Sequence, residues 1–425
     1  MNSPSATVSR LEQQSEPANP NGLDFTGLTR AGRAFFSILD ECIVGARVKW
    51  VVGDHEFVIG RGDPVQLWRG QVLVHDQRFF ARVLAYGNLG MGEAFMEGEF
   101  ETRGAELYEF LDILSRSRLE KKLRADRRLF ARAAWHRLAA HFAGKARSVQ
   151  RHYDIGDDLF ETFLDPTMSY SCGYAVSEND DLEKLQLNKL DRICRKLELT
   201  RDQRLLDIGC GYGGLLIYAA QNFGVTGIGV TISRNHTARA NENIKRLGLS
   251  DRIRVEYRDF EDIKDLGRFD RVVSVGMFEH VPRRQYGRFF KNIARALTPD
   301  GRGLLHAIGC NAAKNTHDPF FQKYIFPGAN QPRLSEITGQ LERHGLAILD
   351  VENIALHYSY TVREWLRKFR ENRHQLDPTR YDEVFARMWE YYFHCGIVAA
   401  LSTDSAVYQT LFAADCAARP PLRRV

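Results

Sequence analysis

The sequence predicts an α/β protein whose larger part is a doubly wound, mostly parallel sheet. Three observations carry that reading. From residue 204 onward, short apolar runs (RLLDIGC, VTGIGVT, IRVEYRD, FDRVVSV, RGLLHAIG) alternate with amphipathic segments, as strands and crossover helices do. The first run passes through a glycine-rich turn into an apolar helix, RLLDIGCGYGGLLIYAA (204–220). Composition is that of a globular chain: 44% hydrophobic and 27% charged over 425 residues, enough for two or three domains.

Residues 1–25 are polar, lack a signal-peptide core and are expected to form a disordered lead. Residues 26–115 are expected to form a smaller α/β accessory domain. Its VKWVVGDHEFVIG (48–60) reads as a hairpin around Gly53-Asp54, and residues 71–100 read as a strand, a helix and a glycine-punctuated loop. Residues 116–150 read as a basic helical connector. From 116 to 151 there are twelve Lys and Arg against Glu120 and Asp126, with Leu119, Leu123, Phe130, Ala134, Leu138 and Phe142 near helical spacing. Such a face is either simply solvated or adsorbs to anionic lipid headgroups, each cation then contributing roughly 1 kcal/mol. No nucleic-acid reader motif accompanies it, so no nucleic-acid partner is expected.

No run approaches the ~20 apolar residues of a membrane span. Lipid contact would therefore be through a surface, and a cytoplasmic protein at the inner face of the membrane is expected. The seven cysteines are scattered without a CxxC pair, which argues against a disulfide framework or structural zinc site. No metal is expected.

Residues 151–425 hold the chemistry. Gly209, Gly211 and Gly213 let the backbone turn tightly and approach a ligand at a helix N-terminus. Such loops serve several nucleotides. A dinucleotide fold calls for an acid about 20 residues further on, yet the second strand ends in Thr231. Asp207 precedes the glycines, where a carboxylate orders the loop or meets an ammonium group. After the third strand, Asp259 is placed to accept from an adenine amine and Phe260 to pack on its ring. The plainer reading of that pair is a helix-capping Asp and a core Phe. Together the features favour S-adenosylmethionine and a methyltransferase.

The chain resembles the cyclopropane-fatty-acyl-phospholipid synthase family, which includes the mycolic acid cyclopropane synthases. The carrying segments run in that family's order from about 150 to the C-terminus: RHYDIGDDLFETFLDPTMSYSCGYA (151–175), LDIGCGYGG (206–214), GVTIS (229–233), VSVGMFEHV (273–281), LLHAIG (304–309), YIFPG (324–328) and HYSYTVREW (357–365). The resemblance implies a Rossmann-like class I methyltransferase. It would transfer the methyl carbon of S-adenosylmethionine to a cis double bond in a phospholipid acyl chain. The resulting carbocation would lose a proton to bound bicarbonate, and the ring would close.

Residue roles follow from the same resemblance. Glu279 would hydrogen-bond the bicarbonate and offset the cation; His306, the backbone N–H of Ile308 and the Tyr358 hydroxyl would donate to it. Cys172 would offer mainly its N–H. Tyr170 and Ser171 would meet the cofactor's polar end, and Thr231 to His236 its ribose. Cys395 falls at a position labelled catalytic in the family, although alkene methylation needs no thiolate and buried cysteines are usually inert. Read singly, Glu279 would be a helix cap, and His306 and Tyr358 core residues.

Three positions depart from the family pattern: Tyr212 replaces a common Trp, His236 a usual Gln, and ANQPRLSE (329–336) a Gly and Leu-Pro-Ser near the acyl site. A methylene or methyl-branched product, including furan and 10-methyl routes and in some cases a partner reductase, would use the same machinery. A non-catalytic lipid-binding protein and a nucleic-acid methyltransferase are the rivals from other classes. A homodimer is expected from the longer relatives.

Overall fold

The computed structural model describes residues 24–62, 67–118, 155–311 and 318–419. Most of the expected lead and of the basic connector, including Arg124, Arg127, Arg128 and Arg132, lies outside these.

The N-terminal region opens with α1 (Arg30–Cys42), capped by the Thr29 hydroxyl accepting from the Gly32 N–H at 3.2 Å. The expected hairpin is β1 (Arg47–Val52) and β2 (His55–Ile59), turning at Gly53. After β3 (Leu67–Val74) and α2 (Arg78–Tyr86), the expected loop is instead a helix, α3 (Asn88–Met96). Its glycines serve packing. A Cβ on Gly90 would fall 2.3 Å from the Arg82 carbonyl oxygen, and one on Gly92 2.4 Å from the Phe320 ring. The close approach of α3 to its neighbours repays the weak helix propensity. Then follow β4 (Phe100–Arg103) and α4 (Leu107–Arg116), with a four-stranded sheet in the order β2-β1-β3-β4.

The larger part begins with α5 (Asp157–Phe163) and α6 (Leu182–Lys196). The βα alternation is then β5 (Arg204–Ile208), α7 (Gly214–Phe223), β6 (Thr226–Thr231), α8 (Arg234–Arg246), β7 (Ile253–Tyr257), β8 (Phe269–Val275), α9 (Tyr286–Ala296) and β9 (Leu297–Cys310). Beyond it come α10 (Leu334–Arg343), β10 (Ala347–Asn353), α11 (Ala355–Asn372), α12 (Glu383–Leu401) and β11 (Ser405–Ala413). The seven-stranded sheet runs β10-β11-β9-β8-β5-β6-β7. Strands β5 to β9 are parallel, and β11 is antiparallel to both its neighbours. The chain winds outward from β5 in one direction and returns beside it with β8. This reversal opens a crevice at the strands' carboxyl ends, where ligands bind in such sheets.

One apolar cluster joins the two parts. Phe36, Trp50, Phe79 and Phe110 of the N-terminal region belong to the same buried core as Phe163, Trp365, Tyr391 and Phe393. Phe25, at the end of the expected lead, is buried in it too. Helices α11 and α12 thus lie between the two sheets and tie them together.

Candidate active site

A cavity of about 520 Å3 occupies the crevice. Gly209 (φ +78°) and Gly211 (φ +54°) line it in the left-handed backbone region that favours glycine. Gly213 (φ +79°) instead stands behind the wall as the residue before α7, so its role is conformational. Tyr170, Ser171, Asp207, Thr231, His236, Asp259 and Phe260 all line the cavity. Asp259 also caps the short turn after it, accepting from the Glu261 N–H at 2.8 Å, and Phe260 meets Phe289 edge-on at 5.4 Å. Both residues thus play the plainer structural parts while facing the cavity. His236 sits against Tyr212, ring centres 4.2 Å apart, and Asp157 accepts from the Tyr212 hydroxyl at 2.6 Å.

The sequence reading missed Lys189. It is 2% exposed, lines the same cavity and donates to the Ser171 hydroxyl at 3.0 Å. Burial lowers its ammonium to about 8, with Asp165 and Asp207 opposing, while burial raises the Asp207 carboxyl to about 7, with Lys189 opposing. A buried cation and a buried acid in one cavity suit the carboxylate and ammonium of an amino-acid ligand. A lysine on the inner face of α6 looks, in sequence, like any other helical lysine.

A second, smaller cavity of about 110 Å3 adjoins the first. Tyr170, Gly276 and His280 border both. Glu279, Ile308 and Tyr358 line the smaller one with Phe326, Ala355, Gly396 and Val407, so it is a largely apolar chamber with one carboxyl group. Glu279 Oε1 accepts weakly from the Ile308 N–H at 3.4 Å; Oε2 is buried with no hydrogen-bond partner among the described residues. Burial pushes this carboxyl up to about 7. The hydroxyl of Tyr392, another residue the sequence reading missed, accepts from that of Tyr170 at 3.0 Å and is also hydrogen-bonded to Tyr358.

His306 stands on β9 opposite Gln409 of β11 and does not line the chamber itself. Its protonation is fixed from behind. Lys196, held by Glu352 at 2.5 Å, donates to Gln409 Oε1 at 2.8 Å, which points the Gln409 NH2 toward His306 Nδ1 at 3.3 Å. Nδ1 therefore accepts, and the ring carries its proton on Nε2. Burial, with Lys189 and Lys196 nearby, lowers His306 to about 3, so the ring is neutral. Nε2 is buried without a partner among the described residues.

The two cysteines are placed differently. Cys172 packs with Ile308 and Tyr358 but does not line the chamber. Its thiol donates to the Gly173 carbonyl at 3.2 Å, and burial raises its pKa. Cys395 lies in another cavity, its sulfur 4.0 Å from the Asn88 amide nitrogen, and burial raises its pKa also. Neither is poised as a thiolate. No cluster of metal-ligating side chains occurs among the described residues.

A Rossmann-like sheet of this order, with a glycine-rich turn and an acid at the switch point, defines a class I S-adenosylmethionine-dependent methyltransferase. Comparison with known proteins narrows the class. The mycolic acid cyclopropane synthetase family profile matches residues 141–410, and the chain belongs to that family. It is 37% identical over 343 residues to the cyclopropane-fatty-acyl-phospholipid synthase of Escherichia coli K12, covering 80% of this chain and 87% of that protein. It is 33% identical over 350 residues to the tuberculostearic acid methyltransferase UfaA1 of Mycobacterium tuberculosis, covering 77% and 79%. Among solved structures, mycolic acid cyclopropane synthase CmaA1 complexed with SAH and CTAB superposes with TM-score 0.56 at 29% identity, covering 64% of this chain and 98% of that one. The chain is a C-methyltransferase that uses S-adenosylmethionine.

Proposed function

We propose that this enzyme adds the methyl carbon of S-adenosylmethionine to the cis double bond of an unsaturated acyl chain in phospholipid and closes a cyclopropane ring. The observation that carries the reading is the buried, unpartnered acceptor Glu279 Oε2 on the wall of an apolar chamber that adjoins the cofactor cavity. A desolvated carboxyl oxygen is costly unless a donor meets it. Bicarbonate fits the chamber, having an acidic O–H for Glu279 and anionic oxygens for Tyr358 and the Ile308 N–H; the resemblance would add His306, which stands behind the chamber wall. When bound it would supply the base for the methylated alkene.

The chain's own residues do the rest. Tyr170, Gly276 and His280 stand at the boundary the methyl group crosses. The apolar walls keep water from a carbocation, and Tyr170, Tyr358 and Tyr392 present oxygen lone pairs there beside the single carboxyl group, Glu279. Incorporation of labelled methyl into vesicles of unsaturated phospholipid, with and without bicarbonate, tests this. Label in the acyl chains that falls on bicarbonate depletion supports it; no incorporation under either condition rejects it.

The likeness to a tuberculostearic acid methyltransferase favours one second reading, a methylene or methyl-branched product completed by a partner reductase. Placement at the membrane is part of the proposal. No described helix is long and apolar enough to cross a membrane, so contact would be peripheral, at the cytoplasmic face, through the basic segment 116–150 and two copies of the chain.

A further inference from the structure

A third cavity, of about 390 Å3, lies between α12 and the N-terminal region. Leu39, Leu84, Met91 and Leu114 wall it from α1, α2, α3 and α4; Cys395 and Val398 wall it from α12. The family profile begins at residue 141, so the first four belong to a part of the chain outside the family's common core.

This cavity adjoins the reaction chamber. Helix α12 is their common wall: Gly396 and Ala400 face the chamber, Cys395 and Val398 face the third cavity, and Ala399 borders both. Phe321 also borders both, at the start of a π-helical turn, Phe321–Ile325. Such turns recur at functional sites. At about 110 Å3 the chamber is well below the ~300–1,000 Å3 of sites that enclose a whole ligand, so it holds only the part of a lipid chain around the double bond. The remainder has to lie elsewhere. The third cavity has no lysine or arginine on its wall among the described residues, and Asp318 is its single charged side chain. That lining repels a phosphate headgroup and suits hydrocarbon.

We propose that the third cavity receives the methyl-terminal end of the reacting acyl chain, so that the N-terminal region measures chain length beyond the double bond. The proposal rests on the phospholipid reading above.

The test compares oleoyl and myristoleoyl phosphatidylethanolamine–phosphatidylglycerol vesicles. The two chains are identical up to the double bond, and the myristoleoyl chain is shorter beyond it. Leu114→Trp should lower oleoyl turnover about tenfold or more, the scale on which an apolar pocket discriminates methylenes, and leave myristoleoyl turnover within about twofold. Leu114→Ala should spare both. Equal loss with the two lipids, or loss with neither, overturns the proposal.

A second readout needs no turnover. Oleoyl vesicles should protect Cys395 of the unaltered protein from N-ethylmaleimide, read by peptide mass spectrometry, and myristoleoyl vesicles should not. Labelling indifferent to lipid overturns the assignment. Protection by oleoyl lipid without turnover of either lipid would reject the reaction while upholding the cavity's occupant.

Discussion

Gln409 faces His306 across neighbouring strands, its amide nitrogen 3.3 Å from His306 Nδ1, and that single contact decides which face of the imidazole carries the proton. The amide is oriented in turn by Lys196 and Glu352, so a largely buried ion pair sets the tautomer of a buried ring. The proposed mechanism would make Gln409 a positioning residue. Gln409→Leu should cut kcat about 10- to 100-fold, keep S-adenosylhomocysteine affinity, and move the His306 proton partly to Nδ1 in nitrogen NMR. Unchanged kcat with an unchanged tautomer would remove Gln409 from the mechanism.

Glu279 carries a stability cost that has a definite sign. Its folded-state pKa of about 7 lies above that of an unfolded glutamate, so the folded protein binds more protons between the two values. Its contribution is therefore favourable below about pH 4.5 and is lost as pH rises through 7. Glu279→Gln should be more stable than the parent at pH 8, by on the order of 3 kcal/mol, and the gap should close toward pH 5. Thermal melts at the two pH values measure it; a gap independent of pH would contradict the burial argument. The same variant should bind cofactor and lose most turnover.

Lys189 should act on the amino-acid end of the cofactor alone. Lys189→Met removes a charged hydrogen-bond donor worth about 1.5–3 kcal/mol, roughly 10- to 100-fold in affinity. Calorimetry should show that loss with S-adenosylhomocysteine and none with methylthioadenosine, which lacks the carboxylate. Equal losses would mean that Lys189 merely supports the fold.

Cys172→Ser should cost only a few-fold in turnover, measured beside Glu279→Gln. The thiol is spent on the Gly173 carbonyl, and a hydroxyl can make the same bond. A loss as deep as that of Glu279→Gln would restore the thiol to the chemistry.

Neutralising Arg124, Arg127, Arg128 and Arg132 should weaken sedimentation with anionic vesicles and leave the circular dichroism spectrum unchanged. Binding that is insensitive to these charges would leave the segment a connector.

What could be read from residues alone follows from how local each signal is. The strand–turn–helix at 204–220 is contiguous, so its glycines and Asp207 were legible. Strands β10 and β11 were not. β10 carries Asp350 and Glu352, whose partners Arg192 and Lys196 lie far back on α6. β11 follows α12 closely and inserts between β9 and β10, a non-local pairing without a sequence period. Gly92 of α3 reads as loop because the bulk that requires it, Phe320, is distant in sequence. Lys189, Tyr392 and Gln409 were missed for the same reason: each gains its meaning from a neighbour on another element. Resemblance supplied Glu279, Ile308 and Tyr358 in one chamber, and geometry set His306 and Cys172 behind its wall and Cys395 beyond it.

The most direct measurement is mass spectrometry of phospholipid acyl chains after expression in a host that lacks such an enzyme. The account predicts chains one CH2 heavier at the expense of unsaturated ones, resistant to hydrogenation, with fragments that locate a three-membered ring at the former double bond. Acyl chains unchanged in mass, with the protein folded and its cofactor bound, would contradict it.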